Sequence, residues 1–267
     1  MCNEQIQETA PEGGIEERIK SLDRAWPFNR AEIPEEFFPY EGPFVSQIKK
    51  DIKNFAFFTR DPEIIGKMFR NLFEVSENDG HYDYVALGIM DELIIQKNLF
   101  EDPQIATASV ENLAAVQNNK GGEKEEYIWK MLQKIDTKNK LGEVMDNVFI
   151  NWMNRQEYLR SDENNNGAII SVFLENCDCY ENTDSVIDLQ KSIILNGHGL
   201  LAEAVESGTF EESNIKRVVT GMLHSVNDKF QIDSFSDEEL VKLISLYKLF
   251  KKEKIVGELN NLEKLLE

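Results

Sequence analysis

The stretch Leu141-Gly142-Glu143-Val144-Met145-Asp146-Asn147-Val148-Phe149-Ile150-Asn151-Trp152-Met153 decides the fold class of this 267-residue chain. Its apolar residues recur at i, i+3, i+4, i+7, i+8, i+11 and i+12, which is the spacing of one face of an α-helix. They are Leu141, Val144, Met145, Val148, Phe149, Trp152 and Met153. The pattern predicts an amphipathic helix whose apolar face packs against a core.

Helical spacing also occurs on both sides of this stretch. It is present from Tyr127 to Ile135, and near the C-terminus it connects Ile255, Leu259, Leu262 and Leu266. The apolar run at 168–174 has no evident partner strand, so we interpret it as a buried helix. The glycines of Asn196-Gly197-His198-Gly199 predict a break in a helix. We therefore expect an all-α protein.

Capping residues mark several helix starts. Asp61-Pro62 and Asp102-Pro103 each place an acidic cap before a proline at the first helical position, where its missing N–H costs no hydrogen bond. Ser236 precedes Glu239 by three residues, which is the spacing of a capping box. Asp61 and Asp102 lie 41 residues apart, and Asp184 follows Asp102 by twice that interval. The spacing suits HEAT repeats, so the sequence predicts either an irregular multi-helix bundle or a short HEAT-like repeat array.

The chain is strongly acidic, with 49 Asp and Glu against 29 Lys and Arg and a net charge of −20. This charge argues against direct nucleic-acid binding, because phosphates would be repelled. No stretch is apolar enough to span a membrane, and three cysteines cannot form a disulfide framework, which favours a cytoplasmic protein. We expect a flexible tail at 1–12 and a single all-α domain at 13–267 that includes an extended strap at 32–43. No feature predicts an oligomeric state.

Residues 162–169, with the sequence Asp-Glu-Asn-Asn-Asn-Gly-Ala-Ile, resemble the first eight positions of an EF-hand calcium loop. The resemblance implies that Asp162, Asn164 and Asn166 would supply oxygen ligands. Phe173 stands where that family places its bidentate glutamate. A calcium-modulated helical module is therefore an alternative function, whereas a simple turn between helices is the other interpretation of these residues. We expect no metal at this loop.

Cys177 and Cys179 are the other candidates for metal binding. A zinc site needs a second pair of Cys or His ligands, which the sequence does not offer at a suitable spacing. Neighbouring acids raise the pKa of a thiol, which disfavours a nucleophilic cysteine. We interpret both residues as structural. Nucleotide-binding motifs are also missing, so no cofactor is expected.

Arg217 and His224 are separated by six residues, a spacing that resembles the Arg-x(4 to 6)-His motif of the all-helical HEPN ribonucleases. The resemblance covers eight residues and implies a metal-independent ribonuclease. In such an enzyme Arg217 would stabilise phosphate charge and His224 would transfer a proton. The other interpretation is an exposed arginine together with an i,i+4 pair between His224 and Asp228.

Acidic residues are concentrated at 157–185, where seven acids accompany a single base, Arg160. The acids are Glu157, Asp162, Glu163, Glu175, Asp178, Glu181 and Asp184. Such a stretch is either a solvated face or a docking surface, on which complementary charge speeds association. Our principal hypothesis is a non-enzymatic α-helical interaction protein that presents these acids to a basic protein partner. An inhibitor, an immunity protein or a nucleic-acid mimic would have this character.

Overall fold

The computed structural model describes residues 60–78, 83–95, 98–116, 123–155, 159, 166–180, 183–229 and 232–266. Over these residues the protein is all-helical and has no strand, which confirms the predicted fold class. The helices are α1 (Pro62–Asn78), α2 (Asp83–Ile95), α3 (Pro103–Ala114), α4 (Glu123–Asp136), α5 (Leu141–Arg155), α6 (Asn166–Glu175), α7 (Thr183–Glu206), α8 (Asn214–Lys229), α9 (Asp237–Lys252) and α10 (Asn260–Glu263). The predicted tail at 1–12 and strap at 32–43 lie outside the described residues, so the single domain at 13–267 stays a prediction.

The helices are arranged as consecutive pairs in two layers. In the first layer α1, α3, α5, α7 and α9 each contact the next, and in the second layer α2, α4, α6, α8 and α10 do the same. Helices α1, α3, α5 and α7 begin at residues 62, 103, 141 and 183, so successive starts are 41, 38 and 42 residues apart. Pairs that stack on their neighbours are the arrangement of a helical-repeat protein. The ten described helices pack together, which is consistent with the predicted multi-helix bundle, and their pairwise stacking leaves the HEAT-like repeat array as the alternative.

The predicted caps are confirmed at three helix starts. The Asp61 carboxylate accepts hydrogen bonds from the backbone N–H groups of Glu63 (3.0 Å) and Ile64 (3.4 Å). The Asp102 carboxylate likewise accepts hydrogen bonds from the backbone N–H groups of Gln104 (2.9 Å) and Ile105 (3.4 Å). At α9 the Ser236 hydroxyl and the Glu239 carboxylate form the complete capping box. These side chains satisfy backbone donors that have no partner within the helix.

One continuous core runs between the layers. The apolar face of α5 contributes Leu141, Val144, Met145, Val148 and Trp152, while Phe149 and Met153 are only partly buried. Every residue of α6 from Asn166 to Leu174 is buried, which confirms that the run at 168–174 is a core helix. A helix that is apolar on all sides needs neighbours on all sides, and α6 contacts α4, α5 and α8. None of the helices described is both long and apolar enough to cross a membrane.

The predicted break at Gly197 is wrong, because α7 continues without interruption from Thr183 to Glu206. Gly197 is buried where α7 crosses α9, and a Cβ atom placed on it would lie 3.0 Å from Cδ1 of Leu246. A glycine costs a helix about 1 kcal/mol relative to alanine. In α7 it allows a close approach between two helices, so the residue serves packing rather than a turn.

The predicted helical pattern at 255–266 is realised only in the short helix α10. Helix α9 ends at Lys252, and Lys254 adopts the left-handed backbone conformation with φ 58°. The chain then folds back so that Leu259 and Leu262 are buried. The Tyr247 hydroxyl holds this segment, because it accepts a hydrogen bond from the Leu259 N–H at 3.0 Å and donates one to Glu263.

Candidate interaction surface

Three of the seven predicted partner-binding acids fall within the described residues, and all three are exposed. Glu175 ends α6, Asp178 lies in the following turn, and Asp184 lies in the first turn of α7. The other four, Glu157, Asp162, Glu163 and Glu181, lie outside the described residues. These three side chains therefore lie at the surface, and their role in partner binding stays a prediction.

The packing of α5 on α7 brings further acids to the same surface. A Cβ atom on Gly142 would lie 2.8 Å from Oγ of Ser185, so the first turns of the two helices are side by side. Asp146 and Asp188 are exposed, and they interact electrostatically across this contact. Partial burial and then the charge of Asp188 raise the pKa of the Asp146 carboxyl above its ordinary value. Two like charges are thus held near each other by the helix packing.

Helix α9 extends this acidic edge. Leu246 contacts Gly197 of α7, and Lys191 of α7 helps to lower the pKa of Glu239, although the capping hydrogen bonds from Ser236 to that carboxylate are the larger cause. These contacts place the first turn of α9 beside the first half of α7. We call the exposed acids of the early turns of α5, α7 and α9 the acidic face. They are Glu143, Asp146, Asp184, Asp188 and Glu238, whereas Asp237 lies on the side of α9 opposite Leu246 and so points away from α7.

Part of this negative charge is balanced within the protein. Lys140 lies 3.7 Å from the Glu143 carboxylate, and Lys242 lies 3.0 Å from that of Glu238. Asp146, Asp184 and Asp188, in contrast, have no cationic side chain within ion-pair distance in the described parts of the chain. Among the described residues, the centre of the acidic face is therefore a group of carboxylates without an ion-pair partner.

Exposed aliphatic side chains lie one to two turns beyond these acids on the same helices. Ile150 on α5 is 54% exposed, Leu195 on α7 is 42% exposed and Val241 on α9 is 66% exposed. Each is separated from an acid by four or seven residues, namely Asp146, Asp188 and Asp237, so each pair shares one side of its helix. We call these three residues the exposed aliphatic group. Val241 lies about 140° around α9 from Leu246, which contacts α7, so it is on the side of α9 away from Leu195.

The candidate ribonuclease residues Arg217 and His224 are both exposed on α8, in the other layer. They share one side of the helix but are two turns apart, or about 10.5 Å along its axis. The predicted pair between His224 and Asp228 is not formed over the described residues, and the Asp228 carboxylate instead accepts a hydrogen bond from the Asn227 side chain at 3.2 Å. The ribonuclease hypothesis therefore stays a prediction.

Of the three residues proposed from the EF-hand resemblance, only Asn166 is described, since Asp162 and Asn164 lie outside. Asn166 begins α6, and its side chain is buried. Its amide nitrogen donates to the Glu111 carboxylate at 2.8 Å and to the carbonyl oxygen of Val148 at 2.9 Å. Glu111 also accepts from the Asn151 side chain at 2.8 Å and faces Arg155 at 3.6 Å. Asn166 thus joins α6 to α3 and α5 through hydrogen bonds in the core.

Cys177 and Cys179, which are separated by Asp178, lie in different environments. Cys177 is buried and Cys179 is exposed, in the turn that follows α6. Beside them, burial raises the pKa of the Tyr180 hydroxyl, and the charges of Cys179 and Asp136 raise it further. Across the described residues, no group of three or more His, Cys, Asp or Glu side chains is arranged to hold a metal ion.

Asp184 belongs to the acidic stretch singled out from the sequence, whereas Asp146, Asp188 and the exposed aliphatic group do not. A usable signal is present for α5: Glu143, Asp146 and Ile150 occupy the positions that its apolar stripe leaves free. The same reasoning applied to α7 places Asp184, Asp188 and Leu195 on one side of that helix. The alignment of the two helices cannot be obtained in this way, because it depends on the contact between Gly142 and Ser185.

The fold and this surface together define an all-helical protein of stacked helix pairs with an exposed acidic face. Comparison with known proteins finds no matching family model, no matching curated protein and no matching solved structure.

Proposed function

We propose that this protein is a non-enzymatic helical interaction protein that presents its acidic face to a basic protein partner. The observation that carries the proposal is the group formed by Asp146, Asp184 and Asp188. These carboxylates are exposed, they lie on two helices in contact, and no described cation compensates them. Partial burial and then the charge of Asp188 raise the pKa of the Asp146 carboxyl, and a partner's Lys or Arg side chain would offset the second of these causes.

The stacked architecture supports this proposal. Arrays of helix pairs expose one long surface built from several helices, and such surfaces are used to bind extended partners. Opposite charge on two partners speeds their encounter and rejects wrong partners. An inhibitor, an immunity protein or a nucleic-acid mimic would use an acidic face in this way.

The test compares two variants of the same net charge. The acidic-face variant carries Asp146→Lys, Asp184→Lys and Asp188→Lys, and the control variant carries Glu123→Lys, Asp228→Lys and Glu253→Lys at exposed positions elsewhere. Each set includes one acid from the first turn of a helix, Asp184 or Glu123. Asp228 and Glu253 lie at the C-terminal ends of α8 and α9, where lysine interacts favourably with the helix dipole, so the melting temperatures of both variants are measured before their binding is compared.

Affinity capture from a lysate of the source organism at low ionic strength, followed by mass spectrometry, supplies the candidate partner. The wild type and the control variant should both retain a basic protein that the acidic-face variant loses. With the purified partner, association by the wild type should slow strongly between about 0.1 M and about 1 M NaCl, as the Debye length falls from about 10 Å to about 3 Å. Equal association rates for the two triple variants would refute the proposal.

A further inference from the structure

Segment 255–266, which contains α10, is held on α9 by specific polar contacts. The Tyr247 hydroxyl accepts a hydrogen bond from the Leu259 N–H and donates one to Glu263. Lys251 donates to the same Glu263 carboxylate at 2.6 Å. Each contact needs a donor and an acceptor at matched positions. The site on α9 is therefore shaped for this particular segment.

Helix α8 adds further contacts to the same segment. The side-chain oxygen of Asn227 accepts from the Asn261 N–H at 2.9 Å, and the Asn227 carbonyl oxygen accepts from the Asn261 side chain at 2.6 Å. Val256, Leu259 and Leu262 are buried, and Leu262 is only 1% exposed. The docking site is thus complementary to the segment in both polar and apolar groups.

The turn that folds the segment back is strained at Lys254. Helix α9 ends in a Schellman motif, in which the Lys254 N–H donates to the carbonyl oxygen of Lys251 at 3.1 Å. The Ile255 N–H completes the motif through the carbonyl oxygen of Phe250 at 2.9 Å. Lys254 has φ 58° at the position where such motifs usually have glycine. In the described ranges the other non-glycine residue with positive φ is Asn139, whose type tolerates this conformation better than lysine does.

We propose that segment 255–266 exchanges between two copies of this chain, as a domain swap. When the turn at Lys254 opens, the connection extends away from α9, and the segment docks on α8 and α9 of a second copy. The segment of that second copy docks in return, so every contact of the closed form is made again between copies. The strain at Lys254 is removed from both chains. This inference goes beyond the proposed function and uses none of the residues of the acidic face.

A second copy is the occupant that matches the docking site. Its segment carries the same donors, acceptors and apolar side chains in the same order, so the exchange needs no new surface. Association costs translational and rotational freedom, and two chains of net charge −20 repel each other. The closed monomer is therefore favoured at low concentration, and exchange should increase with protein concentration and with salt.

Two substitutions of Lys254 act on the turn in opposite directions. Lys254→Pro excludes the closed turn, because proline cannot adopt a positive φ and has no N–H to donate to Lys251. Lys254→Gly removes the strain of the closed turn. Asn139→Gly is the matched control, since it relaxes a positive φ in the turn between α4 and α5, which the exchange leaves closed.

Sedimentation equilibrium of the full chain measures the dimer from about 10 µM to about 1 mM protein in about 1 M NaCl. Lys254→Pro should dimerise at least about 100-fold more strongly than the wild type, because the closed monomer no longer competes. Lys254→Gly should dimerise about tenfold or more weakly than the wild type, because its closed turn is unstrained. Asn139→Gly should match the wild type. A Lys254→Pro chain that stays monomeric throughout this range would overturn the proposal.

Adding Leu262→Asp to Lys254→Pro tests whether the dimer uses the segment. The second substitution places a charge in the apolar part of the docking site, so the double variant should be monomeric. Hydrogen exchange gives a second readout, because the Leu259 amide should be protected in the Lys254→Pro dimer and unprotected in the double variant. A dimer that survives Leu262→Asp, or that leaves the Leu259 amide unprotected, would show that the copies associate through other surfaces and that the proposal is wrong.

Discussion

At the scale of single residues, the electrostatic interaction of Asp188 with Asp146 leads to a prediction about pKa and stability. Asp188→Asn removes the neighbouring charge but leaves Asp146 partly buried, so the pKa of the Asp146 carboxyl should fall while staying above its ordinary value. The folded-state pKa of Asp146 lies above the pKa of an unfolded-state carboxyl. Ionisation of this group therefore lowers the free energy of unfolding, and the loss occurs as pH rises through the folded-state pKa. The variant should therefore be slightly more stable near neutral pH, by about 0.5 kcal/mol or less for such exposed groups.

Carboxyl titration by NMR and thermal unfolding across pH check this prediction. The difference in stability between wild type and Asp188→Asn should vanish in acid, where Asp146 is protonated in both proteins. An unchanged pKa for Asp146 in the variant would show that the two side chains do not interact in solution.

At the scale of secondary-structure elements, the two glycines of α7 give a matched pair. A Cβ atom on Gly197 would lie 3.0 Å from Leu246, whereas one on Gly199 would meet nothing within 4 Å. Gly197→Val should therefore destabilise the protein by about 1–3 kcal/mol through overpacking. Gly199→Val should change stability by less than about 0.5 kcal/mol, because valine is no worse than glycine within a helix. Chemical denaturation measures both, and equal effects would contradict the close crossing of α7 and α9.

The attachment of the C-terminal helix α10 to α9 should depend on pH, because Tyr247 and Lys251 of α9 donate hydrogen bonds to Glu263 of α10. Hydrogen bonds from Lys251 and then Tyr247 lower the pKa of the Glu263 carboxyl below its ordinary value. The stabilisation from Glu263 is therefore complete above its ordinary pKa, and it is lost as pH falls through the lowered pKa of the folded protein. Hydrogen-exchange protection of the Leu259 amide, which donates to Tyr247, should fall over this acid range. In Glu263→Gln this protection should be low without the acid transition, and an unchanged transition would contradict the assignment to Glu263.

The sequence predicts the positions of the helices better than it predicts the contacts between them. Caps at Asp61, Asp102 and Ser236 are readable because a cap and its partners lie within four residues. The break expected at Gly197 is wrong because a local signal for flexibility is overridden by the packing of α9 against α7. The acidic face shares only Asp184 with the acidic stretch predicted from the sequence, because its acids lie on three helices and their proximity depends on contacts between residues more than 40 positions apart.

At the scale of the whole molecule, salt should act in opposite directions on folding and on binding. A net charge of −20 destabilises the compact state by self-repulsion. Salt screens this repulsion, so the melting temperature of the free protein should rise between about 0.1 M and about 1 M NaCl. For a protein of this size each 1 kcal/mol corresponds to about 2–4 °C. The same increase in salt should weaken a complex held by opposite charges.

The two triple variants test this prediction further. Each replaces three acids by lysine, which raises the net charge by six units, from −20 to −14. Their melting temperatures should rise less with salt than that of the wild type, and by similar amounts, since self-repulsion depends mainly on total charge. Partner binding should distinguish them, because only the acidic-face variant loses the carboxylates that the partner contacts. A melting temperature that falls with NaCl would mean that internal ion pairs such as that between Lys251 and Glu263 outweigh the net repulsion. The acidic side chains would then be engaged in ion pairs within the folded protein and would not be available to a partner.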